Sequence, residues 1–125
     1  MNEAKITKAD VKEFVEAAHG DLPKVKQLLA SKPLLRDMPN GNETALGAAC
    51  QMKRRDIIEF LLSQGAPMDI YVACVLGLTD EVAAFLDSDP SLINKKNKQS
   101  HVKPPIIFAS EQPEVLAMLK SRGAR

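Results

Sequence analysis

The chain has 125 residues and a mass of 13.7 kDa, the size of one domain. Its 45% hydrophobic and 26% charged content supplies enough apolar surface to offset ordering entropy, which excludes disorder over most of the length. Lys and Arg total 17 against 16 Asp and Glu, so a formal charge of +1 gives no global field for nucleic acid or an anionic membrane.

Aromatic residues make up only 4%, with four Phe, one Tyr and no Trp. A sheet core favours β-branched and aromatic side chains, so an aliphatic, Ala-rich interior predicts an all-α fold of closely packed helices. No run approaches the roughly 20 apolar residues of a membrane helix. The opening residues Met1 to Ile6 hold no apolar stretch, so no secretory leader is expected. Two cysteines, Cys50 and Cys74, do not make a disulfide framework, and a reducing cytoplasm is the expected compartment.

Taken in chain order, the elements form a repeat. Thr7 and Asp10 have the spacing of a capping box, with Asp in place of the usual Glu. The helix behind them, about 11–18, has Val11, Phe14, Val15 and Ala18 on one stripe. Further Ala-rich or apolar first helices are expected over about 44–52, 70–76 and 105–110. Each is followed by a second helix whose apolar residues recur at i, i+3 and i+4: Val25-Lys26-Gln27-Leu28-Leu29, Ile58-Glu59-Phe60-Leu61-Leu62, Val82-Ala83-Ala84-Phe85-Leu86 and Val115-Leu116-Ala117-Met118-Leu119. The last leucines fall at 29, 62, 86 and 119, at intervals of 33, 24 and 33 residues.

Other columns keep this register. Gly20, Lys53, Gly77 and Ser110 fall where a tight turn between helices wants positive φ. Ala17, Cys50 and Cys74 fill a small-residue column. Pro33 and Pro90 end second helices. Pro23 and Pro113 sit near helix starts, and Asp21 and Thr79 are candidate caps. Four helix-turn-helix units are therefore expected, at about 7–33, 44–66, 69–90 and 104–125, within a single domain over 1–125. Two long loops connect them, 33–43 and 90–103. Asn40-Gly41 in the first loop is a hairpin-turn signal. The shortened middle interval leaves only a direct connection through Gly65-Ala66-Pro67-Met68-Asp69.

These residues resemble the ankyrin repeat. The second unit carries the likeness best, with Thr44-Ala45-Leu46-Gly47-Ala48-Ala49 followed by Ile57-Ile58-Glu59-Phe60-Leu61-Leu62-Ser63-Gln64-Gly65-Ala66. Ala45, Gly47, Lys53 and Arg54 depart from the family's pattern, and losing the Thr-Pro-Leu-His set should loosen the start of that helix. With Phe14 to Leu22, Glu43 to Ala49 and Met68 to Tyr71, the chain is similar to a compact bacterial ankyrin subfamily. The resemblance covers about residues 10–125 and implies a solenoid that binds partners along a concave face of loops and first helices. A tetratricopeptide array, period 34, is the rival helical repeat, but it lacks the Gly-Ala ending and the long loops.

The motifs of catalysis are missing. His19 lies in an inter-helix turn and His101 in the last loop, and neither has converging ligands for a metal. No phosphate-cradling Gly motif or nucleophile elbow occurs. Cys50 and Cys74, one repeat apart, should be separated by a helix-packing distance of about 8–10 Å, too far for a disulfide. They are expected to be buried and inert. An enzyme, redox or ligand-binding protein using Cys50, Cys74, His19 or His101 is the alternative to a binding module. No cofactor or metal is expected.

A partner-binding surface is read from the resemblance as Arg36, Asp37, Met38, Asn40, Asn42 and Glu43 in the first loop. Gln51 and Met52 follow near a helix end, then Tyr71 at the start of the third first helix, where the other reading is core packing with the hydroxyl reaching solvent. Lys95, Lys96, Lys98 and Lys103 make the last loop basic, either as a solvated loop or as a finger for an acidic partner. Lys53-Arg54-Arg55 lies in a turn at the other edge of such a stack, and no aromatics interleave, so nucleic acid is not the expected partner. The partner is an unidentified protein, with no membrane role. Leu116 takes a terminal position filled by Lys26, Glu59 and Ala83 elsewhere; one leucine is not a patch, and a monomer is expected.

Overall fold

In the computed structural model, residues 5–99 and 102–125 are described. Those residues are helical, with no strand beyond one isolated bridge. No helix among them is long and apolar enough to cross a membrane. His101 and the first four residues lie outside the described residues.

The sequence reads as one domain of four units, and the structure groups these into two compact units of two helix pairs. One runs to Ala66 and the other starts at Pro67. The first contains α1 (Lys8–Ala17), α2 (Leu22–Ser31), a 3-10 turn (Pro33–Asp37), α3 (Ala45–Gln51) and α4 (Arg55–Ser63). The second contains α5 (Ile70–Leu76), α6 (Thr79–Ser88), a 3-10 turn (Pro90–Asn94), α7 (Pro105–Phe108) and α8 (Pro113–Ser121). In the first unit α1 packs on α2 and α3, α2 on α4, and α3 on α4. In the second, α5 packs on α6 and α7, α6 on α8, and α7 on α8. Each unit is thus two helix layers around one core.

Local chemistry explains most of the boundaries. The Thr7 hydroxyl accepts the Asp10 N–H, and the Asp10 carboxylate accepts the Thr7 N–H, so the capping box is complete and α1 starts at Lys8, earlier than residue 11. The Lys32 ammonium, 2.7 Å from Asp10, holds that carboxyl below its usual range, with the Thr7 N–H adding to the effect. Asp21 caps α2 by accepting the Lys24 N–H. Thr79 does not cap; Leu78 holds that position and Thr79 is already helical. The start of α3 lacks the family's Thr-Pro-Leu-His set and is capped by Thr44. The Thr44 hydroxyl accepts the Gly47 N–H, and residues Ala45 to Cys50 are all buried, so capping and packing together fix this end.

The first helices are enclosed because their side chains are small. Ala48, Ala49, Val72, Ala73 and Cys74 have no exposed surface, and Ala17 and Cys50 are buried with them. Small residues let neighbouring helices approach closely, which suits a chain with so few aromatics. Tyr71 meets Phe108 edge-on, with ring centroids 5.3 Å apart, inside the second unit.

The sequence register slips by one residue in the second pair. The spacing aligns Ile58 and Leu62 with Val25 and Leu29, whereas the structure buries Ile57, Ile58 and Leu61 and leaves Leu62 half-buried. Residues four apart share a helix face, so either choice makes a stripe and packing on α3 decides between them. The loops also hold more structure than expected. Leu35 is 1% exposed and anchors the first 3-10 turn, while its counterpart Leu92 is half-buried. Ser31, Pro33 and Leu35 recur as Ser88, Pro90 and Leu92, so the two units repeat each other in their 3-10 turns as well as in their helices.

Four turns close by the same six-residue hydrogen bond. The N–H groups of Arg54, Ala66, Leu78 and Ala124 donate to the carbonyls of Ala49, Leu61, Ala73 and Leu119. The residue before each donor has positive φ: Lys53, Gly65, Gly77 and Gly123. Gly20, expected in that column, does not have positive φ. A side chain bridges both turns that join the first helix pair of a unit. The Arg54 guanidinium donates to the Gly20 carbonyl at 2.9 Å, and the Gln112 amide donates to the Val75 carbonyl at 3.0 Å.

Candidate functional site

The first loop is a finger fixed at both ends. At its base, Arg36 donates through Nε and Nη2 to Asp37, at 3.1 and 2.6 Å, and through Nη1 to the Gln64 carbonyl at 2.8 Å. This ties the 3-10 turn to the end of α4. Arg36 and Asp37 therefore spend their polar groups inside the unit. At the far end, Asn40 and Glu43 exchange backbone hydrogen bonds across a turn with Gly41 at φ 65°. That is the hairpin the Asn-Gly pair predicts.

Histidine 19 supplies a contact that spacing did not reveal. Its Nδ1 lies 3.0 Å from the Val15 carbonyl, and its Nε2 lies 3.1 Å from the Glu43 carboxylate. His19 thus joins the end of α1 to the root of the finger. No sequence pattern links positions 24 residues apart, so the contact could not have been found before the fold.

Between these ties, Met38, Asn40 and Asn42 are exposed. Gln51 is half-buried and Met52 is 49% exposed, at the far end of α3. At 1.5 Å per residue, that end lies roughly 10 Å along the helix from the finger's root. The first unit therefore exposes the finger at one end of α3 and Met52 at the other.

The remaining expected residues belong to the second unit. Tyr71 is not a surface contact: it is 7% exposed and its hydroxyl donates to the Lys95 carbonyl at 2.6 Å. Burial pushes its pKa up to about 12, with help from the charge of Asp69. Of its two readings the structure shows core packing, on Phe108, but the hydroxyl bonds the Lys95 carbonyl where solvent was expected. Lys95, Lys96 and Lys98 are exposed, and among the described residues none of them forms an ion pair. Between them, Asn97 is buried. Its N–H donates to the Lys103 carbonyl at 2.8 Å and its side-chain oxygen accepts the Gln99 N–H at 2.9 Å. The basic loop is thus held by its own backbone.

Thiol chemistry fits poorly. Cys50 and Cys74 are buried and not joined in a disulfide, and burial pushes the Cys74 thiol up to about 12, with the Asp69 charge adding to the shift. The reactive form is the thiolate, which such an environment suppresses. Among the described residues no group of three His, Cys, Asp or Glu side chains could hold a metal ion. The run Lys53-Arg54-Arg55 is not a free basic patch either. Arg54 donates to both carboxylate oxygens of Asp56, and Arg55 lies 3.6 Å from Glu59. Compared with known proteins, the chain matches no family model, no curated protein and no solved structure.

Proposed function

We propose that this chain is a non-catalytic protein-protein interaction module of the ankyrin type, a solenoid of four helix-turn-helix units that takes its partner on loops and first helices. The observation that carries the reading is the finger at 38–42. Its tip is exposed, while Arg36 on Gln64 and His19 on Glu43 hold both ends. A surface loop that is fixed before binding loses little entropy when a partner docks, which is the usual advantage of presenting contacts on a rigid scaffold. Exposed Met38 and Met52 add adaptable apolar contacts. The two buried thiols, not joined in a disulfide, suit a reducing compartment, so we place the protein in the cytoplasm, as a monomer, with no cofactor.

The test is a comparative pull-down from native lysate using the wild type and a Met38→Glu, Asn42→Arg double variant. Both positions are exposed, so the fold should survive the changes. The expected result is loss of specific partners with the variant. Identical recovery from both proteins counts against the finger as the binding surface.

A further inference from the structure

The second unit has a cleft of about 260 Å³ against the basic loop. Ile70, Phe85 and Leu92 give it apolar walls, Asp69 adds one carboxyl, and Lys95, Lys96 and Lys98 stand along its lining. We propose that this cleft docks an acidic peptide segment of a protein partner, which inserts one uncharged apolar side chain while its carboxylates pair with the three lysines. The proposal rests on the reading of the chain as a protein-binding module and specifies its partner's chemistry.

Four features support this occupant. The lysines carry three positive charges in four residues, and among the described residues none of them is held in an ion pair, with Asp69 the one carboxyl in the lining. Opposite charge on a partner would both steer encounter and fix register. The loop backbone is already ordered, through Asn97 on Lys103 and Gln99 and through the Tyr71 hydroxyl on Lys95. Binding therefore has mainly side chains to immobilise. The cleft is smaller than the roughly 300–1,000 Å³ of a drug-sized site, so it suits one or two side chains. Asp69 repels a second anion from the interior, which keeps the partner's carboxylates out at the lysines and leaves the apolar walls for an uncharged group.

Nucleic acid satisfies the charges but not the walls. Single-strand binding stacks successive bases on several aromatic faces, whereas Phe85 is the one part-open aromatic in this lining and Tyr71 is 7% exposed and already packed edge-on to Phe108.

The experiment uses the full chain and three fluorescein-labelled probes in anisotropy titrations. The first is the peptide Glu-Asp-Glu-Leu-Phe-Glu-Asp-Glu. The second replaces Leu-Phe by Gly-Ser at the same charge, and the third is a single-stranded DNA oligonucleotide of matching charge. Amide shift mapping locates the bound peptide. The first peptide is expected to bind below about 1 mM, to shift residues 69–72 and 92–99, and to weaken when salt rises from about 50 to about 300 mM. The Gly-Ser peptide should bind about tenfold more weakly, because it buries no apolar side chain. Lys96→Gln with Lys98→Gln should weaken the first peptide about tenfold or more, with an unchanged melting curve.

Equal binding of the two peptides, tighter binding of the oligonucleotide, shifts confined to other residues, or no binding at about 1 mM would each overturn the proposal. If the peptide fails while the Met38, Asn42 variant still loses its partner, this inference falls and the broader reading stands. If that variant loses nothing while the peptide binds as expected, the finger falls and the basic cleft is retained.

Discussion

Lys53 occupies a backbone position that three glycines fill elsewhere. Its φ is 53°, and it is the one non-glycine residue with positive φ among the described residues. A side chain in the left-handed region costs about 1–2 kcal/mol. Replacing it by glycine removes that strain but gives the unfolded chain more freedom, which takes back about 0.4–1 kcal/mol. Lys53→Gly should therefore stabilise the protein by about 0.5–1 kcal/mol, or about 2–5 °C in Tm. Gly77→Ala is the reverse experiment. It pays the same strain at φ 73°, and the added methyl meets the Gln112 side-chain amide, which must shift. Loss of the Gln112 bond to the Val75 carbonyl adds about 0.5–1.5 kcal/mol, for a total loss of about 1–2.5 kcal/mol. Urea melts of both variants at equal concentration provide the assay. A Lys53→Gly protein clearly less stable than wild type would refute the reasoning, since the lysine's own interactions would then outweigh its backbone strain.

Three further predictions concern single contacts. Leu35→Ala should cost about 2–5 kcal/mol, and Leu92→Ala at the matching but half-buried position at least about 1 kcal/mol less; equal losses in urea melts would contradict the burial difference. Asp69 caps α5 through the Val72 N–H, yet burial raises its pKa above the ordinary value of 3.8. A raised folded pKa contributes stability below 3.8 that is lost as pH rises through the raised value, so wild type should weaken relative to Asp69→Asn across that window. Asparagine keeps the cap and alanine does not, so Asp69→Ala should cost about 1 kcal/mol more than Asp69→Asn at neutral pH; a wild-type advantage over Asn that grows with pH would reverse the assigned sign. Glu43→Ala removes the carboxylate that His19 holds, so amides 40–44 should exchange about tenfold faster while the α1 core is unchanged. Uniform exchange across the unit, or none altered at 40–44, would show that the finger is held by something else.

The helices were readable because their causes are local. Thr7 with Asp10 gave the capping box of α1, although the helix was expected from 11 and begins at Lys8, and Asn40-Gly41 gave the hairpin. Apolar spacing located every second helix, with each stripe falling two or three residues inside its start and one or two inside its end, since a stripe at i and i+4 needs only a few neighbours to be seen. The misses have non-local causes. Leu61 was chosen over Leu62 by α3, and the Tyr71 hydroxyl, expected to reach solvent, met the Lys95 carbonyl. His19 met Glu43 only after the finger had folded back. The 3-10 turns were hidden because proline ends a helix and opens a 3-10 turn with the same φ, and only the burial of Leu35 tells the two apart.

Site-specific photo-crosslinking tests the binding account most directly. A photoreactive residue placed at Met38 or Asn42, with exposed Gln27 on α2 as the control, would be irradiated in native lysate and its adducts sized. The account predicts one dominant protein adduct from 38 and 42 and none of that size from 27. Adducts of equal yield from all three positions, or from 27 alone, would contradict a partner docked on the finger.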